Sequence, residues 1–187
     1  MARLTAAFFT RDPVTCAREL VGSIFHWHGC SGRIVETEAY AEVGDEACHT
    51  WNRPGARRFV ESHAPGDAYV YLNYGVHWLF NFLVKGREGA GFVLLRAVEP
   101  IDGLETMRRR RPGIPDRLLG AGPGRLTRAF GISGADHGIH FLDDPEGGVI
   151  RGSAVELVAG GRVGISRAAE RPWRFGEAAS PSLSRKF

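Results

Sequence analysis

The sequence predicts an α+β fold with a mainly antiparallel sheet, in a single domain that covers residues 1–187. Strand-like segments follow one another directly, while helix-like segments lie at the start and in the middle of the chain. Alternating strands and helices would instead indicate parallel βαβ units, so a doubly wound nucleotide-binding fold is disfavoured. A chain of 187 residues with 43% hydrophobic residues is long enough to bury one hydrophobic core.

Local signals predict the individual elements. Start and stop residues predict helices over residues 12–22, 103–110 and 122–130. Runs rich in β-branched and aromatic residues predict strands over residues 23–28, 32–40, 68–73, 76–84 and 91–98, and short strands through residue 157 and near residue 163. Tyr74-Gly75 predicts a hairpin turn. Asp45 is placed to cap a short helical turn that runs to His49.

The charge is mildly basic, with a formal net charge of +3. This charge permits a polyanionic partner but does not require one. The arginines are unevenly placed, because Arg53, Arg57 and Arg58 form one cluster and residues 108–111 are four consecutive arginines. The second cluster is either a solvated helix face or a surface that contacts nucleic acid.

Several classes of protein are not expected from this chain. No apolar run approaches the roughly 18–20 residues that cross a bilayer, and the first residues lack a secretory signal. We therefore expect a cytoplasmic or nuclear protein that is neither secreted nor membrane-bound. Cys16, Cys30 and Cys48 lack the spacing of a disulfide framework or a zinc site. His26 and His28 share a strand face without an evident third ligand, which favours structural histidines over a metal site.

Two carboxylates and an aromatic ring share one face of the second predicted strand. Alternate residues of a strand point the same way, so Glu36, Glu38 and Tyr40 face together. Most strand glutamates are simply exposed, and that is the simpler interpretation. The alternative is a site with a general base beside a stacking platform.

Three further positions allow both a structural and a functional interpretation. Tyr74 at the hairpin turn either packs back on its own hairpin or enters a stack of bases as a wedge. Asn81, in an apolar strand, is either a satisfied buried amide or a pocket residue that reads a ligand. Arg96 either pairs with a neighbouring carboxylate or, near Glu38, holds it ionised and orients a water.

Six segments of the chain occur in a recognisable order: GRIVETEAY, DEACH, AYVYLNYG, the Asn81 strand, VLLRAVEP and GLETMRRRR. Together they closely resemble the alkyladenine (3-methyladenine) DNA glycosylases of the mammalian type. GAGPGRL at residues 120–126 and, more weakly, RPWRF at residues 171–175 extend the resemblance from about residue 8 to the C-terminus. One segment alone is a weak signal, whereas six in order with compatible spacing are specific.

The resemblance implies a curved antiparallel sheet flanked by helices, with a protruding β-hairpin. It also implies that Glu38 activates the attacking water and that Arg96 helps to position this water. The residues that would enclose a flipped base are Tyr40, His49 and Tyr71.

The resemblance assigns two further roles near the base. Tyr74 would intercalate where the base has left, and Asn81 would disfavour unmodified guanine, whose exocyclic amine would collide with it. Arg57, Arg58 and Arg125 are expected to contact the DNA backbone. Residues 51–59 depart from the Thr-Pro-Arg-Asn type of loop usual in the family, which bears on backbone contacts there and on the substrate range.

The implied activity is that of a monofunctional glycosylase in base excision repair. It would act as a monomer on duplex DNA that contains alkylated or deaminated purines (3-methyladenine, 7-methylguanine, hypoxanthine, ethenoadenine), without a cofactor or a metal. One alternative is a non-catalytic DNA- or RNA-binding module with the same fold. Another is a small-molecule hydrolase or acyl transferase that uses Glu38 and His49.

Overall fold

The fold is organised around one long strand that pairs with other strands along both of its edges. In the computed structural model, which describes residues 2–187, this strand is β2 (Cys30–Ala41). One edge of β2 pairs with β5 (Gly89–Asp102). The other edge is shared by β1 (Ile24–Trp27) near its start and by β8 (Arg174–Glu177) at Glu36–Glu38.

The sheet is antiparallel throughout and curved, as predicted. Its order is β3-β4-β5-β2-β1-β6, and β7 joins through β8. The remaining strands are β3 (Ala68–Asn73), β4 (His77–Gly86), β6 (Gly147–Ile150) and β7 (Leu157–Gly160). Strands β3 and β4 form the predicted hairpin, with Asn73 opposite His77.

Five α-helices within residues 2–187 flank the sheet. Their bounds are α1 (Pro13–Leu20), α2 (His49–Asn52), α3 (Pro54–Ser62), α4 (Leu104–Arg110) and α5 (Pro123–Phe130). Short 3-10 turns cover Ala6–Thr10, Asp116–Leu118 and Gly134–Asp136. The predicted start of α1 is confirmed, because the Asp12 carboxylate accepts a hydrogen bond of 2.8 Å from the Thr15 amide.

The alternation of side chains divides the sheet into a core face and a site face. Phenylalanines fill the core face, where the rings of Phe25 and Phe141 stack at 5.1 Å and those of Phe80 and Phe82 meet edge to face at 5.0 Å. Thr37 faces the same way as this core and donates to the Ala17 carbonyl of α1. The opposite face carries the strand residues of the predicted site, namely Glu36, Glu38, Tyr40, Tyr71, Asn81 and Arg96.

Helices α2 and α3, rather than a loop, occupy the stretch over residues 51–59. Pro54 suits the first turn of α3, and the helix buries Ala56 and Phe59 on one side. Phe59 packs at 5.0 Å against the ring of Tyr69 on the site face. A glycine precedes the buried apolar residues of α3 and two arginines interrupt them, so the amphipathic pattern is hard to recognise in the sequence.

Of two smaller predictions, one is wrong and one is confirmed. The residues near Val163 form a loop instead of a strand. The Asp45 carboxylate accepts a hydrogen bond of 3.2 Å from the Ala47 amide and so caps the turn that leads into α2, as predicted. The same buried carboxylate also forms a bidentate ion pair with Arg162 at 2.6 and 2.8 Å.

None of the helices between residues 2 and 187 has the length and apolar character needed to cross a membrane. All three cysteines are free thiols and are buried.

Candidate active site

Glu38 lies at the centre of the site face and is fully buried. Its Oε2 accepts a hydrogen bond of 2.7 Å from the Tyr40 hydroxyl, and its Oε1 accepts one of 2.7 Å from the Val163 amide. The guanidinium Nη1 of Arg96 is 3.3 Å from Oε1. Strand β2 positions the carboxylate, β5 supplies the arginine, and the loop before β8 supplies the amide.

The pKa of Glu38 is raised above the ordinary value of 4.5. Burial is the main cause, and the charge of Glu36 adds to it. Arg96 and the hydrogen bonds from Tyr40 and Val163 act in the opposite direction. A carboxylate with a raised pKa is a better acceptor of a proton from water near neutral pH.

An open cavity of about 500 Å³ lies directly in front of Glu38. The residues that touch Glu38, namely Tyr40, Arg96 and Val163, form part of its wall, so the carboxylate lies one side chain behind the cavity surface. Aromatic rings make up much of the rest of the wall: Tyr69, Tyr71, Phe92 and the imidazole of His49. The volume and the aromatic lining suit a flat ligand of the size of a nucleobase.

His49 and Tyr71 form an interlocked pair at one side of the cavity. Their rings meet edge to face at 4.4 Å, and the His49 Nδ1 lies 3.1 Å from the Tyr69 hydroxyl. Burial, with a contribution from the charge of Arg53, lowers the pKa of His49 to about 4. The imidazole is therefore neutral at pH 7. Burial also raises the pKa of Tyr71, whose hydroxyl stays protonated.

Asn81 lies in the cavity wall on β4, opposite Tyr69 of β3 and Leu94 of β5. Its Nδ2 donates a hydrogen bond of 3.1 Å to the Tyr69 carbonyl, so the amide orientation is held by the backbone. This leaves the side-chain carbonyl and the second amide hydrogen of Asn81 without a hydrogen-bond partner among residues 2–187.

The β3–β4 hairpin presents apolar side chains to solvent beside the cavity. Tyr74 is 86% exposed and Val76 is 69% exposed. Tyr74 and Gly75 both have positive φ, at 50° and 69°, and the Val76 amide closes the turn on the Asn73 carbonyl. Positive φ is unusual for a tyrosine and keeps its ring at the outermost point of the hairpin.

Comparison with known proteins agrees with this geometry. The family model described as "Methylpurine-DNA glycosylase (MPG)" matches residues 7–181. The chain belongs to this family. It is therefore a DNA N-glycosylase, a hydrolase of N-glycosyl bonds, as predicted.

Relatives over the whole length point the same way. A protein of Nitrosospira multiformis named as a 3-methyladenine DNA glycosylase is 44% identical over 96% of this chain and 92% of the relative. Proteins of the same name from Rhodopseudomonas palustris and Rhizobium meliloti are each 43% identical. The first alignment covers 98% of this chain and 89% of the relative, and the second covers 100% of both.

The glycosylase fold gathers the predicted base-contacting and catalytic residues at one cavity. Tyr40, His49, Tyr71, Tyr74, Asn81 and Arg96 all line it, and Glu38 lies just behind its wall. The pleat of β2, β3, β4 and β5 brings the strand residues to one face, while α2 supplies His49 and the hairpin turn supplies Tyr74.

The arginines that we predicted as contacts to the DNA backbone are spread more widely. Arg57 donates to the carbonyls of Thr50 and Trp51 and so fastens α3 to α2. Arg58 is exposed on the same helix. Arg125 is exposed on the first turn of α5 and donates to the Ala121 carbonyl at 3.2 Å. Their contacts with DNA remain predictions.

The arginines at residues 108–111 all have partners within the protein. Arg108 pairs with Asp116, and Arg109 pairs with Glu105 across one helical turn. The other two donate to backbone carbonyls, Arg110 to Ala129 and Arg111 to Leu118 and Leu119. These contacts favour the structural interpretation of this cluster.

Some residues of the glycosylase site were not found by sequence reasoning. Val163 binds Glu38 through its backbone amide, and no pattern in the sequence marks that role. Arg162 stacks at 4.7 Å from the centroid of the Tyr40 ring, and its pairing with Asp45 holds the loop in place. The sequence marks Arg53 only as part of an arginine cluster, whereas the structure places it in the cavity wall, 5.5 Å from the centroid of the Tyr71 ring.

Proposed function

We propose that the protein flips alkylated or deaminated purines out of duplex DNA and hydrolyses their N-glycosidic bond. The substrates would be of the 3-methyladenine, 7-methylguanine, hypoxanthine and ethenoadenine class. The observation that carries the proposal is the buried carboxylate of Glu38 behind an aromatic cavity, with Arg96 beside it.

The chemistry needs one proton acceptor for the attacking water. As the bond between the sugar C1′ and the base nitrogen breaks, the base leaves with the electron pair and C1′ acquires oxocarbenium character. A water oxygen then bonds to C1′, and Glu38 takes a proton from this water. The negative charge of Glu38 also stabilises the cationic sugar. Arg96, with Nη1 next to Glu38, is placed to orient the water.

The aromatic wall suits damaged purines in particular. Stacking contributes roughly 1–3 kcal/mol per base and tolerates several base shapes. Alkylated purines such as 7-methylguanine carry a positive charge, which the electron-rich faces of Tyr40 and Tyr71 favour. His49 adds no charge of its own because it is neutral at pH 7. The side-chain carbonyl and bulk of Asn81 in the wall would restrict which purine edges fit.

The exposed hairpin would supply the wedge. A base leaves the stack at a cost of a few kcal/mol, and an apolar or aromatic side chain can fill the gap. Tyr74, at the tip of the turn, extends further into solvent than its neighbours. The lysines of the chain, Lys85 and Lys186, do not line the cavity, which supports hydrolysis without a Schiff base and without strand cleavage.

The decisive experiment compares wild type with Glu38→Gln on a panel of oligonucleotides that carry single lesions. The amide cannot accept the proton, so Glu38→Gln should bind lesion DNA but release no base. Glu88→Gln, in the exposed turn between β4 and β5, is the matched control and should keep full activity.

Three results would contradict the proposal. Normal base release by Glu38→Gln would remove Glu38 from the mechanism. Salt-dependent DNA binding by wild type without release of any lesion would indicate the non-catalytic module. Turnover of small molecules without any dependence on DNA would indicate the small-molecule hydrolase.

A further inference from the structure

A second glutamate is buried behind Arg96, outside the cavity. Glu36 is fully buried, and its carboxylate accepts from three residues. Arg96 donates through Nε at 2.9 Å, and Arg174 of β8 lies at 3.3 Å. Ser184, near the C-terminus, donates its amide at 2.6 Å and its hydroxyl at 2.8 Å. Glu36 does not line the cavity.

The three nitrogens of the Arg96 guanidinium each have a different partner. Nε donates to Glu36, Nη2 donates to the Ser184 hydroxyl at 3.1 Å, and Nη1 faces Glu38 at 3.3 Å. Because the guanidinium is a rigid plane, fixing two of its nitrogens fixes the direction of the third. Glu36 and Ser184 therefore determine how Arg96 approaches Glu38.

The C-terminal segment 184–187 is itself held in place. The Lys186 carbonyl accepts a hydrogen bond of 3.0 Å from Arg174, and the Phe187 ring lies 3.9 Å from the same guanidinium. Gly176 of β8 lets the ring approach, because a Cβ there would lie 2.4 Å from the Phe187 ring. The match to the family model ends at residue 181, before this segment.

The competition between the two glutamates has a chemical consequence. If Glu36 lost its charge, Arg96 would be free to turn its paired nitrogens toward Glu38. A carboxylate in a bidentate pair with arginine is a weaker base and accepts a proton from water less readily. The pull of Glu36 on Nε and of Ser184 on Nη2 keeps the contact with Glu38 to a single nitrogen.

We infer that Glu36 and Ser184 are positioning residues for the glycosylase reaction, which hold Arg96 so that Glu38 remains available to the attacking water. This inference rests on the proposed roles of Glu38 and Arg96. The C-terminal segment 184–187 would then contribute to catalysis indirectly, through its contacts with Glu36 and Arg96 behind the cavity.

The test compares Glu36→Gln and Ser184→Ala with wild type in single-turnover base release and in binding to lesion DNA. Removing a direct donor to a transition state typically costs about 10²–10³ in rate, so misplacing one should cost less, about tenfold for Glu36→Gln. Ser184→Ala keeps the hydrogen bond from its backbone amide to Glu36, so its rate of base release should fall only a few-fold. The dissociation constant for lesion DNA should stay within about twofold of wild type for both.

A pH profile separates positioning from general damage to the fold. The groups around Glu38 are Glu36, Tyr40, Tyr71, Arg96 and Arg162. Glu36→Gln removes a negative charge and lets Arg96 turn to Glu38, and both changes lower the pKa of Glu38. The acid limb of the rate profile should therefore move to lower pH while the plateau falls.

The controls distinguish the possible failures. Lys186→Ala alters an exposed side chain of the same segment but keeps its carbonyl, and should behave as wild type. If Glu36→Gln does not fold, the inference is tested with Ser184→Ala and with a chain truncated after Leu183. Unchanged rates in these variants, or equal losses of rate and DNA binding, would overturn the inference. Absence of base release by wild type would instead contradict the proposed function.

Discussion

The cavity and the hairpin tip are neighbours in the fold, but charged groups are buried at the cavity and apolar groups are exposed at the tip. Around Glu38, charged groups are buried and hydrogen-bonded, as with the pairs Arg96–Glu36 and Arg162–Asp45. At the tip, Leu72, Tyr74 and Val76 leave apolar surface in water. Tyr74 lines the cavity mouth and belongs to both regions.

The cavity is stabilised by contacts within the protein, whereas the hairpin tip is not. Burying charges costs free energy unless they are paired. The buried pairs Arg96–Glu36 and Arg162–Asp45, which we call the cavity floor, are therefore in place before any ligand binds. Adjacent exposed apolar side chains gain free energy only when something covers them. Changes in the floor should therefore affect stability, whereas changes at the tip should affect only reactions with DNA.

The largest effect is expected at the cavity floor. Arg162→Ala leaves the Asp45 carboxylate buried without its ion pair, which should lower the free energy of unfolding by about 3–5 kcal/mol. Arg167→Ala, in the same loop, breaks an exposed ion pair with Glu46 at 3.7 Å and should cost at most about 1 kcal/mol. Urea denaturation measures both, and equal losses would contradict the role of the buried pair.

A large effect on activity alone is expected at the tip. Tyr74→Ala should leave the free energy of unfolding within about 0.5 kcal/mol of wild type, because the ring is exposed. Unstacking costs a few kcal/mol, so excision of a well-paired lesion should fall by about 10–100-fold. A lesion opposite a mismatch should lose much less. Val43→Ala, also exposed, is the control, and equal losses for paired and mispaired lesions would exclude a wedge.

A smaller change, in selectivity, is expected in the cavity wall. Asn81→Ala and Asn81→Ser remove the amide that would collide with the exocyclic amine of guanine. The rate of excision of undamaged guanine should rise about fivefold relative to that of hypoxanthine in the same duplex. This corresponds to a relative change of roughly 1 kcal/mol in the activation free energy. An unchanged ratio of the two single-turnover rates would show that Asn81 does not select the base.

The smallest effect is expected in the pH dependence of the rate, where Glu38 and His49 are the two titratable groups compared. Glu38 must be ionised to act as a base, so activity should fall as pH decreases through its raised pKa, above 4.5. The pKa of His49 is about 4, so its protonation comes at lower pH. Rate profiles of wild type and His49→Gln should share one acid limb. A limb that moves with His49→Gln would assign the titration to His49.

The alternation of residues in β2 to β5 made much of this site predictable. Period-2 patterning placed Glu36, Glu38 and Tyr40 on one face, and the structure confirms that both glutamates contact Arg96. The hairpin turn at Tyr74 was also evident, because its residues mark a chain reversal. The helix α3 was missed because its apolar residues are few and interrupted by glycine and arginine.

The residue pattern is enough to predict the order of helices and strands along the chain, the sheet face on which strand side chains lie and the family to which the chain belongs. The folded structure is needed to see that the Val163 amide binds Glu38, that Arg162 pairs with Asp45 and that Ser184 reaches Glu36. These contacts join irregular segments to strands distant in the chain. A backbone amide carries no residue-specific signal, and its partner is set by how the loops pack once the sheet has formed.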